Sequence, residues 1–155
     1  MPIEPGIPAP EFSLPDENET IRHLSDFRGN VVVLYFYPKD DTTGCTTEAC
    51  SFRDDYSAYE KADVIILGVS PDSTKSHTKF KDKYALPFPL LADEGHKVCN
   101  LYDVWGPKKL YGREYEGVLR TTFLIDKEGK VARVFEKVKP AEHSTEILEA
   151  ISNLS

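Results

Sequence analysis

The sequence contains no apolar run near twenty residues, no long run of basic residues and only three cysteines. The first absence excludes a transmembrane helix. The second, with a formal net charge of −7, argues against a nucleic-acid-binding or membrane-surface protein. Three cysteines do not make the disulfide scaffold of a small secreted domain. The first residues also lack the basic and apolar regions of a secretory signal, so we expect a cytoplasmic protein whose thiols stay reduced.

The pattern of apolar residues predicts a single α/β domain over residues 1–155, with 40% hydrophobic residues to form its core. Two continuous apolar stretches separated by a helical pattern indicate a parallel βαβ unit. Two later strands around a turn indicate an antiparallel hairpin. The predicted order is a hairpin (12–14 and 20–23), a strand (31–37), a helix (43–60), a strand (64–69), a helix opened by 71–73, an edge strand (88–91), a short helix (96–101), two strands (120–125 and 130–136) and a C-terminal helix.

Cys45 is the strongest candidate for a reactive residue. Pro38 ends the preceding strand because proline offers no N–H to a neighbouring strand. Thr42 or Thr43 is placed to cap the helix that follows, with its hydroxyl accepting from a free N–H of the first turn. A thiol in that first turn is favoured as a thiolate by the aligned peptide dipoles and the unpaired N–H groups.

Cys50 follows five residues later and could react with whatever Cys45 becomes. Five residues along a helix turn the second side chain about 140° from the first and set the two Cα atoms roughly 8–9 Å apart. That separation exceeds the span of a disulfide. A bridge between the two cysteines therefore requires the helix to unwind locally.

The run from Pro38 through Thr42 to Cys45 resembles the active-site pattern of the peroxiredoxins, and Cys50 resembles the second cysteine of the bacterioferritin comigratory protein, or peroxiredoxin Q, subgroup. The likeness covers nearly the whole chain. It extends to segments 9–16, 104–106, 111–113 and 120–126. It implies a thioredoxin-like fold, a central mixed sheet flanked by helices, with the extra N-terminal hairpin.

The expected reaction is attack of the Cys45 thiolate on one oxygen of a hydroperoxide, which yields a sulfenic acid and water or an alcohol. The N–H groups of Gly44 and Cys45 can stabilise the charge on the leaving oxygen. The resemblance implies that the Thr42 hydroxyl and the Arg120 guanidinium do so too, and that Pro38 shields the thiolate from water.

The resemblance also implies that a thioredoxin-like dithiol reopens a Cys45–Cys50 disulfide, and that the protein is a monomer. Reduction of hydrogen peroxide and organic hydroperoxides by this route requires no cofactor and no metal.

Several other readings of these residues remain open. Cys45 or Cys50 could be a buried structural thiol, Thr42 only a helix cap and Arg120 an ordinary surface residue. A thioredoxin-like disulfide oxidoreductase is a second function, although that group carries Cys-x-x-Cys. A third is a redox-sensing or zinc-binding protein, with both cysteines joined by two further residues, His96 and Cys99. Otherwise Cys99 is expected in the core, as are two aromatic residues, Trp105 and Tyr111.

Overall fold

A computed structural model describes residues 3–136 and 138–154. This part of the chain contains nine strands and five α-helices. The strands are β1 (Ser13–Pro15), β2 (Ile21–His23), β3 (Val31–Phe36), β4 (Val64–Ser70), β5 (Leu90–Ala92), β6 (Trp105–Leu110), β7 (Arg113–Val118), β8 (Thr121–Ile125) and β9 (Val131–Glu136). The helices are α1 (Thr43–Asp54), α2 (Tyr56–Lys61), α3 (Thr74–Tyr84), α4 (Lys97–Leu101) and α5 (His143–Ser152).

Five of the strands form one mixed sheet in the order β5-β4-β3-β8-β9. Strands β3, β4 and β5 are parallel, whereas β8 runs antiparallel to β3 and β9 antiparallel to β8. The predicted βαβ unit, C-terminal strand pair and edge strand are therefore confirmed. The N-terminal hairpin is confirmed as well, in the antiparallel pair β1 and β2.

Helices and loops cover both faces of the sheet, and this explains the continuous apolar sequence of β3, all six residues of which are buried. Its odd-numbered residues face a core formed with α1, α3 and α5. Its even-numbered residues face a second core formed with the N-terminal hairpin and α4. The strand thus carries the centre of both cores and delivers the chain into α1 at its carboxyl end.

The single helix predicted over 43–60 is wrong in one respect, because α1 ends at Asp54 and α2 begins at Tyr56. Asp55 interrupts the two helices with φ −97° and ψ 7°. Its carboxylate accepts a hydrogen bond of 2.8 Å from the Ser144 hydroxyl, and the Tyr59 hydroxyl donates to the Ser144 carbonyl at 2.9 Å. Tertiary hydrogen bonds to the start of α5 therefore replace the regular helical geometry at this point.

The hairpin of β6 and β7 was not predicted from the sequence. Most of β7 is exposed, and β6 contains Pro107, so neither segment has the apolar pattern of a buried strand. The strands are joined through Tyr111 and Gly112, both with positive φ, which is the backbone geometry of a tight hairpin turn. The expectation that Tyr111 packs is also wrong, since 97% of it is exposed.

Among the helices in the described ranges, none combines the length and the apolar character needed to cross a bilayer.

Candidate active site

Cys45 is the third residue of α1 and is only 1% exposed. The first backbone hydrogen bond of the helix runs from the Thr46 N–H to the Thr42 carbonyl, at 2.8 Å. The N–H groups of Gly44 and Cys45 precede that bond, so they have no acceptor within the helix. The sulfur therefore lies at the positive end of the helix dipole and within the apolar core beneath α1.

Arg120 lies against this sulfur although it is 75 residues away in the chain. It immediately precedes β8, and β8 pairs with β3, whose carboxyl end leads to Cys45. Guanidinium Nη2 donates to Cys45 Sγ at 3.2 Å, and Nη1 donates to Glu48 Oε1 at 2.7 Å. Burial opposes the charge, but Glu48 and Cys45 outweigh it and raise the pKa of Arg120. The guanidinium is thus a permanent cation in contact with the thiol.

Gly44 provides the space for that contact. A Cβ atom at this position would lie 3.2 Å from Nη2 of Arg120 and 3.8 Å from the ring of Pro140. A side chain here would push the guanidinium away from the sulfur. The sequence analysis expects Gly44 to act through its backbone N–H. The structure adds a steric role, because the absence of a side chain leaves room for the Arg120 guanidinium.

Glu48 belongs to the site and was missed by the sequence analysis. It is fully buried, one turn beyond Cys45 on the same face of α1. Its Oε2 has no hydrogen-bond partner among the described residues. Burial raises the pKa of Glu48 to about 7, although Arg120 acts in the opposite direction. Glu48 is therefore divided between its neutral and charged forms near neutral pH. The three-residue spacing from Cys45 is the signal that could have revealed it.

Thr42 and Pro38 lie in the loop between β3 and α1. Thr42 occupies the N-cap position but makes no capping bond with its side chain, so the predicted hydroxyl cap is wrong. Instead its hydroxyl donates to the Lys39 carbonyl at 2.9 Å and is exposed. The hydroxyl oxygen keeps its acceptor capacity toward solvent. Pro38 is half-buried directly after the core residue Tyr37.

Cys50 lies in the same helix as Cys45, and the thiols of both residues are free. Cys50 is half-buried, so it is more exposed as a residue than Cys45. Because α1 is regular across both positions, the separation expected from helix geometry applies and no bridge can form in this conformation.

The environment of Cys99 differs from that of Cys45. It is fully buried in the second core, and burial together with the neighbouring Asp93 carboxylate raises the pKa of its thiol. The His96 ring stacks on Trp105 with centroids 3.8 Å apart. Within the described ranges no three residues of the His, Cys, Asp and Glu types are grouped closely enough to hold a metal ion.

A cavity of about 420 Å³ lies beside Arg120. Leu119, Thr121 and Lys108 contribute to its wall near the arginine, and Cys45 does not line it. Its remaining wall includes the apolar side chains Val104, Phe123, Val134 and Val138. The guanidinium therefore contacts the thiol and also lines a cavity whose wall is partly apolar and partly polar.

Comparison with known proteins gives consistent results. The model of the AhpC/TSA family matches residues 5–134. Peroxiredoxin Bcp of Bacillus subtilis is 51% identical over 100% of this chain and 99% of its own length. Peroxiredoxin Bcp of Escherichia coli is 44% identical over 95% of this chain and 94% of its own. The solved bacterioferritin comigratory protein of Xanthomonas campestris superposes with a TM-score of 0.90 at 37% identity, covering 97% of this chain and 98% of its own, and its description concerns alkyl peroxide reduction.

Proposed function

Since the chain belongs to the AhpC/TSA family and, within it, to the Bcp/PrxQ peroxiredoxins, which are thiol peroxidases, we propose that Cys45 is its peroxidatic residue. The observation that carries this assignment is the 3.2 Å contact between Arg120 Nη2 and Cys45 Sγ. A guanidinium at that distance favours the thiolate, which is the nucleophilic form of cysteine.

In the first step the Cys45 thiolate attacks the terminal oxygen of the hydroperoxide. The S–O bond forms as the O–O bond breaks, so sulfur is oxidised to a sulfenic acid and the leaving oxygen takes a proton to become water or an alcohol. The guanidinium of Arg120 and the N–H groups at the start of α1 stabilise the charge on that oxygen. The Thr42 hydroxyl adds a donor when it turns from the Lys39 carbonyl toward the peroxide, and Pro38 limits access of water.

In the second step the thiol of Cys50 attacks the sulfenic sulfur, the S–S bond forms, and water leaves. This step requires the first turns of α1 to unwind, because both residues lie in one regular helix. A dithiol reductant of the thioredoxin type then exchanges with the disulfide and restores both thiols. Such a reductant is kept reduced in the cytoplasm, where we place this enzyme, acting as a monomer.

The substrates proposed are hydrogen peroxide and organic hydroperoxides. The cavity beside Arg120 supports the second class, since the apolar part of its wall could accommodate an alkyl chain beside the guanidinium that contacts Cys45. The Xanthomonas campestris relative is described in terms of alkyl peroxide reduction.

The test is mass spectrometry of the reduced protein after one equivalent of peroxide, together with a coupled assay containing thioredoxin and its reductase. A Cys45–Cys50 disulfide is expected, with a loss of helical circular dichroism on oxidation. Cys50→Ser should consume one equivalent and then stop, whereas the control Cys99→Ala should recycle normally. A disulfide that maps to Cys99, or normal recycling of Cys50→Ser, would contradict the assignment of Cys50. Reduction of insulin disulfides without peroxide consumption would favour a disulfide oxidoreductase instead.

A further inference from the structure

Asp40 is a buried carboxylate in the loop that precedes Cys45, and 8% of the residue is exposed. Its Oδ1 accepts a hydrogen bond of 2.6 Å from the Tyr37 hydroxyl. Its Oδ2 accepts from the Ser76 hydroxyl at 2.8 Å and faces Nδ1 of His77 at 2.7 Å. Tyr37 directly follows β3, whereas Ser76 and His77 belong to α3. The Asp40 carboxylate thus connects the loop to α3, whereas Cys45 belongs to α1.

His77 has an acceptor at each ring nitrogen. Nε2 lies 2.9 Å from the Leu91 carbonyl, which can only accept, so Nε2 carries a hydrogen. Nδ1 faces Asp40 Oδ2 at 2.7 Å, and two unprotonated atoms would repel each other at that distance. A second proton therefore lies between them. The arrangement is a buried, short hydrogen bond between His77 and Asp40, with the ring fully inaccessible to solvent.

The backbone of the loop is held by further contacts beside this pair. The Asp40 N–H donates to Asp72 Oδ2 at 2.7 Å, and Asp72 follows the end of β4. The Asp41 carboxylate accepts from the Tyr84 hydroxyl at 2.6 Å and from Lys83 Nζ at 2.8 Å, at the far end of α3. Asp41 has φ 57°, so this anchoring also holds a backbone geometry that aspartate adopts at some cost. These contacts end one residue before Thr42.

We infer that the Asp40–His77 pair positions the loop 38–42, and with it the Thr42 hydroxyl and the start of α1 at Gly44 and Cys45, for reaction with peroxide. Neither residue touches the reacting atoms, so both are positioning residues, and the inference rests on the proposed role of Cys45. The loop is fixed to α3 and β4, which contribute no group to the reaction. It can therefore keep its geometry when α1 unwinds for disulfide formation.

Two substitutions of His77 distinguish a role in positioning the loop from a role in stability alone. The amide of asparagine reaches the place of Nδ1, so His77→Asn keeps a donor to Asp40. The amide of glutamine reaches the place of Nε2, so His77→Gln keeps the donor to Leu91 but leaves Asp40 without its partner. Both remove the imidazole ring. Tyr59→Phe, which removes buried hydrogen bonds to Ser144 far from the loop, is the control for lost stability alone.

The measurement is the second-order rate constant for Cys45 oxidation by peroxide in a Cys50→Ser background, with the melting temperature of each variant. A displacement of about 1 Å in a reacting group can cost about a hundredfold in rate. We therefore expect about a hundredfold slower oxidation in His77→Gln, a rate within about fivefold of the parent in His77→Asn, and the parent rate in Tyr59→Phe. An unchanged rate in His77→Gln, or equal slowing in both His77 variants, would overturn the inference.

A second readout does not depend on peroxidase activity. The nuclear magnetic resonance signals of the Gly44 and Cys45 amides should shift in His77→Gln and stay near the parent positions in His77→Asn. Absence of peroxide consumption by the parent would reject the proposed function. Unshifted amide signals in His77→Gln would reject the positioning pair.

Discussion

Cys45 and Cys99 occupy the same position in two different helices, the third residue of α1 and the third residue of α4. Both are buried, at 1% and 0% exposure. Their nearest charged groups are opposite, however. Cys45 Sγ accepts from the Arg120 guanidinium, whereas burial and the Asp93 carboxylate raise the pKa of the Cys99 thiol.

The comparison shows that a position at the start of a helix does not by itself make a thiol reactive. In α4 the first N–H groups are already occupied, since Asp93 accepts from the Val98 and Cys99 N–H groups at 3.1 and 2.7 Å. In α1 the N–H groups of Gly44 and Cys45 have no acceptor in the helix. On the proposed assignment, the charged group that the fold brings to each thiol therefore distinguishes the reactive Cys45 from Cys99.

The largest expected difference is in peroxide turnover. Cys45→Ser should reduce turnover to the background rate, because the nucleophile is lost, whereas Cys99→Ala should retain the parent rate. Consumption of peroxide by each purified variant, with thioredoxin and its reductase present, measures both. Turnover that survives in Cys45→Ser would remove the distinction between the two cysteines.

The next largest effect is expected when the Arg120 guanidinium is removed. Arg120→Ala should slow oxidation of Cys45 by about 10²–10³-fold, the usual cost of removing a donor aimed at developing charge. Arg120→Lys keeps the charge but loses the two-pronged contact with Cys45 and Glu48, so its rate should lie in between. Stopped-flow measurement in the Cys50→Ser background isolates the step. Equal rates for Arg120→Ala and the parent would show that the guanidinium contact has no catalytic role.

Each thiol also has an acidic neighbour, and Glu48 is the one beside Cys45. Its pKa is raised from an ordinary 4.5 to about 7 in the folded protein. The folded state therefore holds the proton more tightly than the unfolded state, so this contribution to stability is full below about pH 4.5 and is lost as the pH rises through about 7. The loss is on the order of 3 kcal/mol. Glu48→Gln should remove this part of the pH dependence of the free energy of unfolding, measured by urea denaturation. If the free energy of unfolding of Glu48→Gln and of the parent changed in the same way with pH, Glu48 would lie in a more polar environment than the structure shows.

The smallest effect is expected at the unreactive cysteine. Asp93→Asn removes the carboxylate that helps to raise the pKa of Cys99, but burial is the larger cause and remains. Alkylation of Cys99 in a background without the other two cysteines should therefore accelerate only a few-fold, about 0.5–1 kcal/mol in activation free energy. An increase to the rate of an exposed thiol would mean that α4 had opened, and a melting curve of the same variant distinguishes that outcome.

The sequence predicts the parts of this molecule whose pattern is local. The runs at 31–37 and 64–69 indicate strands because both faces of the sheet are covered, and the pattern from Pro38 to Cys45 indicates the reactive cysteine. Partners that are distant in the chain leave no such pattern. Glu48 is recognisable as a site residue only once Arg120 is seen against it, 72 residues away. His77 likewise gains its role from Asp40, 37 residues earlier.

The break at Asp55 has a consequence for the catalytic cycle. Unwinding that starts at Cys45 is confined to α1, because α2 is a separate helix. The Tyr59 hydroxyl of α2 is hydrogen-bonded to Ser144. The Arg53 guanidinium also donates to the Tyr84 carbonyl at 2.7 Å, which ties the last turn of α1 to the end of α3. In the proposed cycle, the segment that unwinds is thereby limited to about two or three helical turns, and the rest of the fold keeps its structure until the reductant acts.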